Sequence, residues 1–259
     1  MNLNLHNKVI LVTGGSKGIG RAISECLAQE GAIPFVVSRN LASLNEMQQS
    51  FNKKKWPLGT FQAELTQPEA CTTAVEEVVK RFGRLEGLVN NAGVNDTVGL
   101  EKGNYKAFVA SLHRNVVHYY LLAHEALPYL KKTKGAIVNI GSKVATTGQG
   151  NTSGYAAANG GRNALTREWA LELLPYSIRV NAVIVAECFT PLYEKWINTH
   201  TNPKETLKQI TEKIPLENRM TDPMEIANMV AFLLSNRSSH TTGQLLYVDG
   251  GYTHLDRAL

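Results

Sequence analysis

Short runs of apolar, mostly β-branched residues alternate along the chain with longer stretches in which apolar residues recur three and four positions apart. The runs predict β-strands, and the stretches between most of them predict helices. Because strands and helices alternate, we expect an α/β fold with a doubly wound parallel sheet of about seven strands and a ligand at their carboxyl ends. The predicted strands cover residues 8–13, 33–37, 58–62, 86–90, 135–140, 178–183 and 244–248.

The length and composition favour one globular unit. The chain has 259 residues, of which 43% are hydrophobic, and this is enough to bury one large core. No Pro/Gly/Ser-rich spacer, low-complexity tract or internal repeat interrupts it, so we expect a single domain over residues 1–259. The three scattered cysteines offer neither a disulfide framework nor the spacing of a metal site, and we expect no metal.

The compartment is expected to be the cytoplasm. The first predicted strand begins within about ten residues of Met1, which leaves no room for a signal peptide. The longest apolar stretch, residues 119–130, is too short to span a membrane. The formal charge is +5, but the lysine runs at 53–55 and 131–134 stand where predicted helices end, where they complement the helix dipole. We therefore expect no membrane and no nucleic acid as partner.

A glycine-rich turn follows the first predicted strand directly. Gly14, Gly18 and Gly20 lack Cβ atoms, so the backbone can approach a pyrophosphate closely. A helix that begins near Ile19 offers free N–H groups and the positive end of its dipole. Because strand, turn and helix occur in the required order, the segment predicts the dinucleotide site of a Rossmann fold.

The end of the second predicted strand bears on the choice of cofactor. An acidic residue there would bind the ribose 2′-hydroxyl and select NAD, but the chain has Ser38 and Arg39 instead. Arg39 and Lys17, in the glycine turn, could together hold a 2′-phosphate. We expect NADP in preference to NAD; the alternative is that both cations are solvent-exposed loop charges.

Two motifs resemble the short-chain dehydrogenase/reductase family over essentially the whole chain: Thr13 to Gly20, and Asn90-Asn91-Ala92-Gly93 after the fourth predicted strand. The resemblance implies an NAD(P) cofactor, a homotetramer and a small-molecule substrate, and it implies that Thr190 holds the nicotinamide carboxamide. The residues that we expect to bind the cofactor, from the glycine turn, the end of the second strand and the resemblance together, are Gly14, Ser16, Lys17, Gly18, Ile19, Gly20, Ser38, Arg39, Glu64, Leu65, Asn91, Ala92, Gly93, Tyr155, Asn159 and Thr190.

Three further positions match the catalytic pattern of the family. Ser142 ends the fifth predicted strand, and Tyr155 follows thirteen positions later. A serine hydroxyl can bind the reacting oxygen while a tyrosine passes it a proton, which interconverts a carbonyl and a secondary alcohol. Asn115, in a helix predicted over 104–130, matches the residue that holds a relay water in the family. A buried structural hydrogen bond is the alternative for Asn115.

The chain departs from the family at Asn159, where a lysine is expected four residues after Tyr155. A lysine at this spacing lies on the same helix face, can lower the pKa of a phenol from about 10 and can hold the ribose. Asparagine can bind ribose but brings no charge, so we expect impaired activity and a gain from Asn159→Lys. Arg162 is not expected to compensate, because its side chain is long and flexible.

Longer segments resemble bacterial L-fucose dehydrogenases and related sugar dehydrogenases, namely residues 88–96, 147–155, 165–170 and 249–259. This resemblance implies a sugar or polyol substrate, a substrate loop at about 186–215, and substrate contacts from Gln149, Tyr155 and Glu187. Glu187 could accept hydrogen bonds from sugar hydroxyls; a salt bridge with a loop cation is the alternative.

Two functions are consistent with these residues. The first is an NADP-dependent oxidoreductase that interconverts a secondary alcohol and a carbonyl on a sugar or polyol, and Asn115, Ser142, Tyr155 and Thr190 favour it. The second is a dinucleotide-binding protein with lost or altered redox chemistry, which Asn159 favours.

Overall fold

The computed structural model describes residues 1–255, and its seven strands form one parallel sheet in the order β3-β2-β1-β4-β5-β6-β7. The predicted α/β fold with a doubly wound sheet is confirmed, and no strand end differs from its prediction by more than two residues. Residues 256–259, which end one segment of the sugar dehydrogenase resemblance, lie outside the described residues. The strands are β1 (Val9–Thr13), β2 (Ile33–Ser38), β3 (Gly59–Gln62), β4 (Gly87–Asn90), β5 (Ala136–Ser142), β6 (Arg179–Val185) and β7 (Leu245–Val248).

Helices cover both faces of this sheet. Successive strand residues point to opposite faces, so a strand that is covered on both sides is mostly apolar. Val9 and Leu11 accordingly pack in the core beside α3 and α5, whereas Ile10 and Val12 pack in the core beside α1 and α9. The helices are α1 (Gly18–Gln29), α2 (Leu41–Lys53), α3 (Pro68–Phe82), α4 (Tyr105–Leu112), α5 (His118–Thr133), α6 (Ser153–Glu172), α7 (Pro191–Ile197), α8 (Pro203–Thr211) and α9 (Pro223–Leu234).

The chain direction across the sheet reverses at β1, which pairs with β2 on one side and with β4 on the other. Such a switch point opens a crevice at the carboxyl ends of the strands. The turns that leave β1 and β4 meet there. Asn91 donates from Nδ2 to the Thr13 carbonyl at 2.9 Å, and the Thr13 hydroxyl accepts from the Asn91 N–H at 2.9 Å. The two motifs of the family resemblance are therefore joined at the mouth of the crevice.

The helix predicted over 104–130 is interrupted. One π-helical turn, His113–Val117, separates α4 from α5. A π turn inserts an extra residue, which shifts the helical periodicity by one position without ending it, so the sequence pattern on both sides still predicts one helix. The turn places Asn115 fully inside the protein, where its main-chain carbonyl accepts a hydrogen bond from α6.

Candidate active site

A cavity of about 550 Å³ opens at the carboxyl ends of β1, β4, β5 and β6. Most of the residues that the sequence assigns to the site lie in its wall: Gly14, Lys17, Gly18, Ile19, Gly20, Ser38, Arg39, Glu64, Leu65, Asn91, Ala92, Gly93, Ser142, Tyr155 and Thr190. Five assigned residues lie outside this wall, and they are Ser16, Asn115, Gln149, Asn159 and Glu187. Gln149 is exposed, in the loop between β5 and α6.

The glycine turn fits a dinucleotide pyrophosphate. A Cβ atom on Gly20 would lie 2.4 Å from the Gly14 carbonyl oxygen, so no other residue fits this turn without moving the backbone. Lys17 precedes α1 and makes no side-chain capping bond, which leaves the first N–H groups of the helix free of a capping side chain. Free N–H groups and the positive dipole end are what a pyrophosphate binds at a helix start.

Three serine hydroxyl groups lie close together beside the end of β2. The Ser16 Oγ lies 2.9 Å from the Ser38 Oγ and 2.9 Å from the Ser43 Oγ. Arg39 is exposed, and its Nη1 lies 3.5 Å from Glu64 Oε2. An ion pair this exposed is weak, so a phosphate dianion can compete for the guanidinium. Ser43 was not among the predicted site residues, because it lies in the first turn of α2 and only the fold brings it to Ser16 of the glycine turn.

Ser142, Tyr155 and Thr190, the hydroxyl-bearing residues that match the family, line the same cavity near the ends of β5 and β6. The Ser142 Oγ is directed toward the start of the following 3₁₀ turn, where the Val144 N–H lies 3.5 Å away. Tyr155 lies in the first turn of α6. Thr190 caps α7, and its hydroxyl accepts from the Tyr193 N–H at 3.2 Å. The side chains of all three are thus placed at element ends that meet at the same cavity.

The Asn115 side chain makes buried structural hydrogen bonds, which were the alternative to a role in the proton relay. Its Oδ1 accepts from the Val94 N–H at 2.7 Å, and its Nδ2 donates to the Ser111 carbonyl at 3.0 Å. The side chain thereby ties the loop after β4 to α4. The relay water that the family resemblance assigns to Asn115 stays a prediction.

Asn159 is fully buried behind the cavity wall. Its Nδ2 donates to the Tyr155 carbonyl at 2.8 Å, and its Oδ1 accepts from Arg162 Nη1 at 3.1 Å. Both polar atoms of the amide therefore have partners within the protein. Contact between Asn159 and the cofactor stays a prediction.

The expectation of a flexible Arg162 is wrong. The residue is only 3% exposed, and its Nε donates to the Asn115 carbonyl at 2.6 Å. Nη1 also donates to the Ile140 carbonyl at 3.1 Å. Because these bonds link α6 to the π turn and to β5, the guanidinium is held in the cavity wall. The sequence could not show this, since both carbonyls are far from Arg162 along the chain.

Glu187 forms an ion pair with Lys143, which is the salt bridge that the sequence analysis left open. Both side chains are largely buried, with 10% of Lys143 and 16% of Glu187 exposed. Burial, the charge of Glu187 and a hydrogen bond to its carboxylate raise the pKa of Tyr193. The Lys143 Nζ lies 3.8 Å from the centre of the Tyr252 ring. Ser142 pairs with Val185 at the ends of adjacent strands. Lys143 and Glu187 follow these two residues closely along the chain, so a prediction of the strand pairing could have placed them side by side.

His118, in the first turn of α5, also lies in the cavity wall and was not predicted. Burial, followed by the charge of Arg162, lowers its pKa from 6.5 to about 4. Its Nε2 lies 3.0 Å from the Arg114 carbonyl. The imidazole is therefore uncharged at neutral pH.

Within residues 1–255, no cluster of three or more His, Cys, Asp or Glu side chains is placed to hold a metal ion. In the same part of the chain, no helix is long and apolar enough to cross a membrane. Cys26, Cys71 and Cys188 are free and buried.

Comparison with known proteins identifies the family. A family model described as enoyl-(acyl carrier protein) reductase matches residues 14–253. The 3-oxoacyl-(acyl-carrier-protein) reductase FabG of Thermotoga maritima is 34% identical over 253 residues, which cover 96% of this chain and 99% of that protein. The chain belongs to the short-chain dehydrogenase/reductase family. It is thus an NAD(P)-dependent oxidoreductase that acts on a carbonyl or an alcohol.

Other members of the short-chain dehydrogenase/reductase family are also similar to nearly the whole of this chain. The L-fucose dehydrogenase of Rattus norvegicus is 34% identical over 247 residues, covering 94% of this chain and 88% of that protein. The crystal structure of Cj0485 dehydrogenase superposes with a TM-score of 0.94 and 43% identity, covering 100% of this chain and 99% of that one. Relatives with different names share the same identity, so similarity alone does not single out the L-fucose dehydrogenases.

Proposed function

We propose that this protein is an NADP-dependent oxidoreductase that interconverts a secondary alcohol and a carbonyl on a sugar or polyol. The observation that carries the proposal is that Ser142, Tyr155 and the glycine turn all line the same cavity. The Lys143–Glu187 ion pair lies beside Ser142, where a polyhydroxylated substrate would extend from the reacting carbon.

In the proposed reaction, the cofactor held at the glycine turn would supply a hydride as NADPH in carbonyl reduction and accept one as NADP in alcohol oxidation. The Ser142 hydroxyl donates a hydrogen bond to the reacting oxygen and fixes its position. The Tyr155 hydroxyl gives that oxygen a proton in carbonyl reduction and accepts one in alcohol oxidation. Asn115 is assigned to the proton relay, and Asn159 to the orientation of the neighbouring groups.

The preference for NADP is supported at the end of β2. Arg39, Lys17 and Ser38 lie in the cavity wall, and none of them is acidic. The Ser16 hydroxyl lies behind them, bonded to Ser38. Cations and hydroxyl groups bind a 2′-phosphate, whereas a ribose 2′-hydroxyl is recognised by a carboxylate.

The sugar or polyol substrate is supported by the polar groups beyond Ser142. Tyr193 lies in the cavity wall and its hydroxyl is bonded to Glu187 behind the wall, so a phenol oriented by a carboxylate faces the substrate side. The Thr221 N–H donates to the Glu187 carbonyl at 3.0 Å, which anchors the start of the proposed substrate loop at about 186–215. We assign Gln149 to the same subsite. The name of the rat relative, L-fucose dehydrogenase, agrees with a sugar substrate.

We further propose a cytoplasmic homotetramer, on the strength of the family resemblance. Three free, buried cysteines suit a reducing compartment. Size-exclusion chromatography with light scattering tests the assembly: a mass four times that of the chain supports it, and a monomer or dimer contradicts it.

The function is tested with purified protein in two sets of assays: NADP with a panel of aldoses and polyols that includes L-fucose, D-glucose and ribitol, and NADPH with a 3-oxoacyl thioester as a competing substrate class. Turnover is followed by the absorbance of the reduced nicotinamide. Tyr155→Phe and Ser142→Ala are expected to abolish turnover, and Ser142→Ala, which changes no residue assigned to the cofactor, is expected to retain NADPH binding. Tyr120→Phe, which changes an exposed tyrosine on α5, is the matched control.

Each result decides between the candidates. Turnover of a sugar or polyol that is lost in Tyr155→Phe and kept in Tyr120→Phe supports the proposal. Turnover of the thioester alone contradicts the substrate class. NADPH binding without turnover of any compound at any pH contradicts the oxidoreductase and leaves the dinucleotide-binding alternative.

A further inference from the structure

We propose that Arg162 supplies the fixed positive charge of this active site in place of the lysine that the family carries at position 159. Arg162 is a positioning residue that acts on the Tyr155 hydroxyl. The inference rests on the proposed function, because Tyr155 must transfer a proton for the charge to matter.

The position of Arg162 on its helix allows this role. Tyr155, Asn159 and Arg162 are spaced four and three residues apart on α6, so they form one stripe on the face of the helix. The guanidinium carbon of Arg162 lies 6.0 Å from the centre of the Tyr155 ring and 4.3 Å from the centre of the Tyr119 ring. A cation one turn beyond position 159 thus reaches back to the tyrosine.

The charge of Arg162 is not neutralised by its neighbours. Its hydrogen bonds go to the carbonyls of Asn115 and Ile140 and to the amide oxygens of Asn115 and Asn159, all of which are uncharged. Across residues 1–255, no carboxylate forms an ion pair with it. A buried cation without a counter-charge is costly to keep, unless an anion forms next to it. The anion that the proposed chemistry forms there is the phenolate of Tyr155.

The surroundings of Arg162 are shaped to hold this charge in one place. Asn159 is fixed by its bond to the Tyr155 carbonyl and presents its oxygen to Nη1. A Cβ atom on Gly93 would lie 2.7 Å from Nη2, so a glycine is needed where the guanidinium reaches the turn after β4. Burial lowers the pKa of the neighbouring His118, and the charge of Arg162 lowers it further.

Two variants separate the charge from the shape of the side chain. Arg162→Gln removes the charge, and Arg162→Lys keeps it. A third variant, Asn159→Lys combined with Arg162→Gln, moves the charge to the position used by the family. Arg167→Gln changes an exposed arginine on the same helix and is the matched control.

The first readout is the pH profile of kcat/KM for alcohol oxidation. Arg162→Gln is expected to move the profile about one to two pH units toward alkaline pH and to lower kcat/KM at neutral pH by about tenfold to a hundredfold. Arg162→Lys and the charge-moving double variant are expected to keep the profile near that of the parent. A loss in Arg162→Gln with an unmoved profile overturns the inference, because removal of a merely structural residue would give that result.

The second readout does not need turnover. The ultraviolet titration of tyrosine is recorded with NADPH bound, and the Tyr155→Phe spectrum is subtracted to isolate Tyr155. Removal of the charge is expected to move this titration in the same direction, whether or not any sugar is a substrate. An unmoved titration overturns the inference, whereas a moved titration without sugar turnover contradicts only the proposed function.

A variant that retains Arg162 covers the possibility that Arg162→Gln fails to fold. Asn159→Asp places a carboxylate against Nη1 and neutralises the guanidinium without removing its hydrogen bonds. It is expected to move both readouts toward alkaline pH, and profiles identical to those of the parent would overturn the inference.

Discussion

Arg162 Nη1 lies 3.1 Å from Asn159 Oδ1, so the residue that replaces the family lysine is a hydrogen-bond acceptor for a buried cation. The side chains at positions 159 and 162 therefore depend on each other. An asparagine at 159 leaves room for the guanidinium and orients it, and a lysine there would meet a like charge. This relationship reverses the expectation that a lysine at 159 would by itself raise activity.

Asn159→Lys alone is predicted to destabilise the protein and not to increase turnover. Two unit charges about 4 Å apart repel by about 4 kcal/mol at an effective dielectric constant near 20. We expect the midpoint of thermal unfolding to fall by about 5 °C or more. Ala157→Lys, at an exposed position on the same helix, is the control and should leave the midpoint nearly unchanged. A parent-like midpoint together with faster turnover would refute this prediction.

Glu187→Ala is predicted to raise the KM for a sugar or polyol and to leave the affinity for NADPH unchanged. The carboxylate is bonded to Tyr193 in the cavity wall and lies outside the glycine turn, so its removal disturbs the substrate side. Steady-state kinetics and NADPH titration measure the two effects separately. An equal loss of NADPH affinity would show that Glu187 is needed only as a structural ion pair.

The Lys143–Glu187 pair also allows a test by stability. Glu187→Gln leaves a largely buried ammonium without its partner, which we expect to cost about 3 kcal/mol of unfolding free energy. The double variant Lys143→Met/Glu187→Leu removes both charges and is expected to cost less than the single change. Chemical denaturation measures both values, and a double variant that is the less stable of the two would contradict the account.

Arg39→Ala is predicted to weaken NADPH binding by about tenfold to a hundredfold and to leave NADH binding unchanged, because only NADPH carries a 2′-phosphate. Fluorescence titration of both cofactors measures the effect. Arg167→Ala, at an exposed site outside the cavity wall, controls for the loss of one positive charge. Equal affinity of the parent for the two cofactors would remove the basis for an NADP preference.

The burial of His118 predicts a loss of stability in mild acid. Its pKa is about 4 in the folded protein, against 6.5 for the ordinary value that applies to the unfolded chain. Between these values the unfolded chain binds a proton that the folded protein does not, so stability falls as the pH falls through this window, by about 1.4 kcal/mol per pH unit. Above pH 6.5 this residue has no such effect.

Denaturation between pH 4 and pH 7 measures this slope, and the range is set by the same two pKa values. His118→Phe is expected to flatten the slope by about the predicted amount. His240→Asn changes an exposed histidine and should keep the slope of the parent. If His118→Phe keeps the parent slope, another group is responsible for it.

The sequence by itself determined the sheet and the location of the cleft. Strands that are covered on both faces are mostly apolar, and so the seven runs were visible within two residues of their ends. The glycine turn was visible for a similarly local reason, because the close approach at Gly20 excludes any side chain. Constraints of this kind act on residues that are consecutive in the chain, so they can be recognised in the sequence.

Only the tertiary structure decided how the charged groups of the site are arranged. Arg162 is fixed by carbonyls of β5 and of the π turn, and Glu187 is paired with Lys143, which directly follows β5. These partners lie 22 to 47 positions apart along the chain, and hydrogen bonds to main-chain carbonyls place no demand on the type of the accepting residue. The sequence therefore showed that a lysine was absent, and only the packing of α6 against β5 and the π turn showed where a positive charge stands instead.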